Sequence, residues 1–140
     1  LKLMRKPSYK LFDKFKSAFE KLTMEAGLKQ QIVPYFISSH PGSDLEDMAE
    51  LAAATKSDGF KLEQVQDFTP TPMTLSSVMY YTGFDPYTKE KVYSAKSSDD
   101  RNDQRSFLFW YKEENREKLK RRLRKIGRED LLKKIFGMER

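Results

Sequence analysis

QIVPYFISSHPGSDLEDMAELA, residues 31–52, is the stretch on which the fold class turns. Ile32, Val33, Tyr35, Phe36 and Ile37 crowd β-branched and aromatic side chains together, which predicts a strand over 32–37. Its nearly unbroken apolar character, rather than an alternation, is what a strand covered on both faces of a parallel sheet shows. Pro34 has no N–H for a ladder, so the strand lies at an edge or is broken there. His40-Pro41-Gly42 reads as a turn, and Ser43-Asp44-Leu45-Glu46 fits a capping box with Ser43 at the N-cap and Glu46 three residues on. Leu45, Met48, Leu51, Ala52 and Thr55 then share one face of a helix that Gly59 ends. Val65 to Phe68 is a second short strand, stopped by Pro70 and Pro72. Strand, helix and strand at this spacing imply parallel pairing through a right-handed crossover.

Working outward, Ser8 is placed to cap a helix from about Tyr9 to Ala26. Phe12, Phe15, Phe19 and Leu22 form its apolar stripe, lysines fill the other faces and Gly27 stops it. Beyond Pro72, Met79-Tyr80-Tyr81 and Lys91-Val92-Tyr93 flank the turn-rich Asp85-Pro86-Tyr87-Thr88, which predicts a small hairpin. Ser97 to Asn102 reads as a polar linker, and it and the loop from Thr69 to Ser77 are expected to be mobile. Three helical stretches follow, at about Asp99–Tyr111, Glu114–Ile126 and Glu129–Phe136. The expected fold class is therefore α/β and helix-rich, organised as residues 1–72 followed by residues 73–140.

The chain has 140 residues, enough for one domain at most. Aromatics at 13% argue against wholesale disorder. No apolar run approaches the ~20 residues of a membrane helix, and no secretory signal precedes the first helix, so a cytoplasmic protein with no membrane association is expected. There are no cysteines, which excludes disulfides, thiolate nucleophiles and cysteine-held metal centres within the chain. A single histidine, His40, excludes a multi-histidine metal site and leaves no complete catalytic site legible. The net charge of +6 is local: residues 1–111 hold 15 basic and 15 acidic side chains, residues 112–134 hold 11 and 5, and Glu139 and Arg140 cancel.

In a parallel α/β sheet, ligands bind beyond the carboxyl ends of the strands. Those ends are Ser38-Ser39-His40 and Asp67-Phe68-Thr69, so His40 and Asp67 would emerge on one rim if the strands are neighbours. The amides around Gly42 to Leu45 open a helix N-terminus, which attracts anionic groups. Against this stands the plain alternative that His40 is a turn histidine and Asp67 a surface acid. The basic run Lys118 to Lys125 offers Arg121, Arg122 and Lys125 as contacts for phosphates or RNA, although Leu119 and Leu123 show that one face packs inward. The aromatics from Phe107 to Tyr111 suit base stacking, but at helical spacing they suit a core better.

LKLMRKPSY, VPYFISSHPGSDLEDMAELA, EQVQDFTPTPMTLSSVMYYTGFDPYTKEKVY and the terminal ENREKL…GREDLL resemble, in order, the C-terminal part of the YgiQ-type radical SAM proteins. That resemblance implies a catalytically incomplete C-terminal fragment. Residues 1–72 would be the last βα units of an open radical SAM βα-barrel, and residues 73–140 an extension of unassigned role. The rest of such a protein carries Cys-x3-Cys-x2-Cys, which holds a 4Fe–4S cluster that cleaves S-adenosylmethionine. This chain holds neither cofactor, and its partner would be the N-terminal radical SAM portion of the same protein. The resemblance places Ser39, His40, Pro41 and Gly42 in a strand-end loop at the S-adenosylmethionine rim, with Asp67 in the last barrel strand. The other reading is a module that binds a partner or RNA through the basic helix. The resemblance names no substrate, and the oligomeric state is not legible.

Overall fold

The computed structural model describes residues 1–137, which divide into two compact units, residues 1–34 and the described residues from 35 on. In the first unit, α1 spans Lys10–Glu25. It starts after Tyr9 with no side-chain cap; Ser8 Oγ receives only a long 3.4 Å bond from the Lys10 N–H. Gly27, at φ 65°, turns the chain away. No residue of α1 is buried.

The second unit is a small α/β assembly. Strand β1 (Phe36–Ser38) pairs in parallel with β2 (Val65–Asp67), in register Phe36 with Val65 and Ser38 with Asp67. Helix α2 (Leu45–Ser57) connects them. Helices α3 (Leu75–Thr82), α4 (Ser98–Leu108), α5 (Glu113–Lys125) and α6 (Glu129–Phe136) complete the described residues. The sheet has two strands only.

The core forms where α2, α4, α5 and α6 meet. Met48, Ala49 and Ala52 of α2 face Phe107 and Leu108 of α4, with Leu119 and Leu123 of α5 and Leu131 and Ile135 of α6 around them. Alanines at 49 and 52 let Phe107 and Leu108 of α4 approach the α2 backbone, and both alanines are fully buried. Two polar bonds fix this packing. Trp110 Nε1–H donates to Thr55 Oγ1 at 3.2 Å, and the Tyr111 hydroxyl donates to the Leu62 carbonyl at 2.6 Å. Of the aromatics from Phe107 to Tyr111, Phe107 is thus fully buried, while Phe109, Trp110 and Tyr111 are half-buried. Arg128 ties α2 to the start of α6, reaching Glu46, Glu50 (3.1 Å) and Asp130 (2.8 Å).

The structure corrects several sequence expectations. The first strand begins at Phe36 rather than Ile32. Pro34 offers no N–H, and Val33 and Tyr35 are 85% and 67% exposed, so their side of that stretch is uncovered. The capping box sits one residue later than expected: Asp44 accepts from the Asp47 N–H at 2.9 Å, and Asp47 accepts from the Asp44 N–H at 3.0 Å. Met79-Tyr80-Tyr81 is helix, not strand. Thr74 Oγ1 caps α3 by accepting from the Ser77 N–H, and Gly83 at φ 72° ends it. Of the expected hairpin only an antiparallel bridge between Phe84 and Lys91 remains. It closes a turn in which Asp85 Oδ1 accepts from the N–H groups of Tyr87 and Thr88. The polar linker at 97–102 is the first turn of α4. Ser97 Oγ caps it through the Asp100 N–H at 3.0 Å, and Asp99 and Asp100 suit its positive N-terminal end. The loop 69–77 is likewise tied: the Ser77 and Thr74 hydroxyls both donate to the Thr71 carbonyl.

Candidate functional site

The parallel pairing of β1 and β2 puts Ser38 and Asp67 side by side at the carboxyl ends of the strands. The Ser38 hydroxyl donates to Asp67 Oδ1, and Arg105 from α4 holds Oδ2 at 2.9 Å. The Phe68 N–H continues the ladder to the Ser38 carbonyl at 2.9 Å. The rim anticipated from sequence is therefore assembled, with Asp67 engaged on both oxygens.

Beyond Ser38 the chain turns sharply. Ser39 has φ 60°, a left-handed conformation uncommon for a residue with a side chain. Gln104 of α4 holds it there: the Ser39 N–H donates to Gln104 Oε1 at 3.1 Å, and Gln104 Nε2 donates to the Ser43 carbonyl at 2.8 Å. One buried amide thus clamps both ends of the Ser39–Ser43 turn. Gly42, at φ 86°, donates its N–H to the Tyr93 carbonyl at 2.7 Å, and Pro41 is fully buried. Ser39 Oγ is buried and has no hydrogen-bond partner among the described residues. An unmet buried hydroxyl on a strained residue costs free energy, and such positions cluster at functional sites.

His40 is 6% exposed. Its Nδ1 lies 2.9 Å from the Pro41 carbonyl, which only accepts, so Nδ1 carries the proton. Nε2 then accepts from the Ser76 hydroxyl at 2.8 Å. The Phe68 ring meets the imidazole edge-on at 5.2 Å. Burial pulls the His40 pKa below its ordinary 6.5, and the Pro41 bond only partly opposes this, so the neutral ring dominates at neutral pH. Because the folded pKa lies below the unfolded one, this contribution to stability is complete above pH 6.5. It is lost as pH falls from 6.5 toward the folded pKa. Urea midpoints measured between about pH 7.5 and about pH 5 are expected to fall, and His40→Gln is expected to flatten that part of the dependence.

The basic helix is arranged differently from a free phosphate grip. Asp103 of α4 receives both Lys118 (2.9 Å) and Arg122 (2.5 Å), and Lys120 pairs with Glu117 at 3.1 Å. Arg121 is exposed, with its Nε donating to the Glu117 carbonyl at 3.4 Å. Arg122 and Lys125 line a surface cavity of about 250 Å³ whose other walls include Asp99, Asp100 and Asp103. Arg122 binds Asp103 and the Arg121 bond stays within α5, so neither is drawn to His40 or Asp67. No group of three or more His, Asp or Glu able to hold a metal occurs among the described residues, and no helix there is long and apolar enough to cross a membrane.

Gln104 and Ser76 were not picked out from sequence. Gln104 had a readable signal, since it lies one turn before the core residues Phe107 and Leu108 and so on the same face of α4. Ser76 had none, because its partner His40 is 36 residues away.

Comparison with known proteins places the chain among long polypeptides. A UPF0313 protein of Bacteroides thetaiotaomicron is 55% identical over 137 residues, covering 98% of this chain and 22% of the relative. A UPF0313 protein of Porphyromonas gingivalis is 54% identical over 97% of this chain and 22% of its own length. One from Methanocella arvoryzae is 46% identical over 92% and 22%. The chain spans about a fifth of the length of these relatives, whose names state no activity. No solved structure matches. Residues 63–135, from just before β2 to the last turn of α6, match the model of the domain of unknown function DUF3362, and the chain belongs to that family.

Proposed function

We propose that this chain is the C-terminal portion of a radical SAM enzyme and lends the rim of a cofactor site whose metal centre lies elsewhere in the polypeptide. The observation that carries this reading is the Ser39–His40 turn. It stands at the carboxyl end of a parallel strand, where α/β proteins bind ligands, and it is strained, clamped by Gln104 and left with an unmet buried hydroxyl. The resemblance of SSHPGSDLED and VQDFTPTP to radical SAM strand ends supports it, as does a length only a fifth of that of the relatives.

The two cofactors implied differ in how they fit these residues. A 4Fe–4S cluster held by three thiolates does not fit, since the chain has no cysteine. S-adenosylmethionine is chemically compatible with them: Ser39 Oγ has hydrogen-bonding capacity to spare, although at 1% exposure the turn must open for a ligand to reach it, and a neutral His40 beside it adds no positive charge against the sulfonium. Ser39, His40, Pro41, Gly42 and Asp67 would shape that edge. Pro41 and Gly42 set the turn, while Asp67, held by Ser38 and Arg105, fixes the neighbouring strand end.

The test is equilibrium binding of S-adenosylmethionine to the full-length polypeptide carrying this domain, loaded with iron and sulfide under anaerobic conditions. Binding is expected, and His40→Ala and Ser39→Val are each expected to weaken it by roughly tenfold or more, the scale of one lost buried hydrogen bond. Absence of binding, or variants with unchanged affinity, would overturn the reading. RNA binding by α5 is the weaker alternative, because Asp103 and Glu117 already compensate Lys118, Arg122 and Lys120.

A further inference from the structure

We infer that the aromatic face of α1 is a docking surface, and that its occupant is the part of the polypeptide lying outside these 140 residues. Phe12, Phe15 and Phe19 form a continuous row of rings with Tyr9, at centroid separations of 5.2, 6.5 and 5.9 Å along the row. Leu11 and Leu22 widen it, and Leu11, Phe15 and Leu22 are 56%, 55% and 63% exposed. By helical geometry these five residues share one side, an apolar stripe of the width that core-facing helices carry. Yet α1 buries none of its residues. An isolated helix of this length is marginal in water, so α1 needs a surface to pack on. Phe12 and Phe19 are half-buried, whereas Leu11, Phe15 and Leu22 stay exposed beside them, and an apolar row with exposed members of this size marks an interaction site.

Three occupants compete. A membrane surface suits basic amphipathic helices, and residues 1–34 carry eight Lys and Arg against three acidic side chains, so charge does not separate lipid from protein here and the vesicle arm of the test below does. A second copy of this chain has no observation behind it. The rest of the same polypeptide has two. The match to the Bacteroides relative leaves at most three residues of this chain unaligned, so α1 belongs to a protein of which about four fifths lies elsewhere. The DUF3362 match, by contrast, begins only at residue 63, and the compact unit containing α1 ends at residue 34. Helix α1 thus lies within the span matched by the longer relative but outside the DUF3362 match. This inference rests on the length of the relatives, not on the cofactor reading, and either can fail without the other.

The test uses the full-length polypeptide. Hydrogen exchange read by mass spectrometry is expected to show the amides of residues 12–25 slowed roughly a hundredfold or more relative to unstructured peptide, whereas an unpacked helix gives less than about tenfold. With the photo-reactive p-benzoylphenylalanine in place of Phe15, cross-links are expected to peptides outside this 140-residue span. Phe15→Glu with Phe19→Glu is expected to return α1 to fast exchange while the amides of Phe107 and Leu108 stay protected, showing that the rest remains folded. Lys21→Gln, on the opposite side of the helix, is expected to change neither readout. Fast exchange in the unaltered protein would overturn the inference. So would protection that appears only with anionic phospholipid vesicles, cross-links confined to residues 35–137 or to a second copy, or no cross-link at all.

Discussion

Replacing Phe107 with alanine is expected to lower the free energy of unfolding by about 3–5 kcal/mol. The ring is completely buried, and it sits where α2, α5 and α6 converge on α4. Removing it forfeits the transfer free energy of the ring and leaves a void that its neighbours cannot fill. Ala49 and Ala52 are already small, and Leu119, Leu123 and Ile135 are held by their own helices. Urea denaturation followed by far-UV circular dichroism measures the change. A loss under about 1 kcal/mol would mean that the four helices do not meet at Phe107. As a comparison, Tyr87→Ala, at a side chain 72% exposed, is expected to stay within about 0.5 kcal/mol.

Gln104→Leu is the second large effect. Leucine nearly preserves the volume, so packing changes little, but the Ser39 N–H and the Ser43 carbonyl both lose their partner. A buried backbone group left unpaired costs about 1–3 kcal/mol, so the variant is expected to lose about 2–4 kcal/mol. The site should suffer beyond stability. Ser39 keeps its left-handed φ because Gln104 clamps the turn, and without the clamp the Ser39 and His40 side chains are free to leave the strand end. In the full-length polypeptide the variant is therefore expected to lose affinity for S-adenosylmethionine even at temperatures where it remains folded. Gln104→Glu is the companion: it keeps an acceptor for the Ser39 N–H but buries a carboxylate against the Ser43 carbonyl, so near neutral pH it is expected to lose at least as much as Gln104→Leu.

The elements legible in the sequence are those whose information is local. Leu119 and Leu123, then Leu131, Leu132 and Ile135, repeat at helical spacing before Gly127 and Gly137, and α5 and α6 appear within a residue or two of where that spacing puts them. The strand–helix–strand order likewise gave the parallel pairing of β1 with β2. The capping box was misplaced by one residue because Ser43 and Asp44 have equal capping chemistry, and the sequence offers both Glu46 and Asp47 to reach back, of which only Asp47 does while Glu46 binds Arg128. Only the backbone direction chooses between them. Residues 97–102 looked like a linker because they are polar, yet Ser97 followed by Asp99 and Asp100 is a helix start by the same rules. Met79-Tyr80-Tyr81 was misread because aromatic residues suit strands and buried helices equally, and the deciding Thr74 cap lay outside the run.

The candidate site was half legible. His40 and Asp67 share one end of the sheet because parallel register puts them there, a consequence of chain direction alone. What makes the end unusual came from farther off. Gln104 reaches Ser39 across 65 positions and Ser76 reaches His40 across 36. No periodicity within a segment reports such contacts. The basic run shows the same limit from the other side: its charge was plain, but Asp103, which neutralises two of its members, sits on a different helix.

The most direct measurement is release of 5′-deoxyadenosine from S-adenosylmethionine under reducing, anaerobic conditions, by the full-length polypeptide and by residues 1–140 after the same iron and sulfide treatment. Turnover by the full-length protein and none by the 140-residue span is the result the proposal predicts, because the span has no thiolate to hold a metal centre. Release of the nucleoside by the span itself, or none from a full-length protein that carries its cluster, would contradict the assignment.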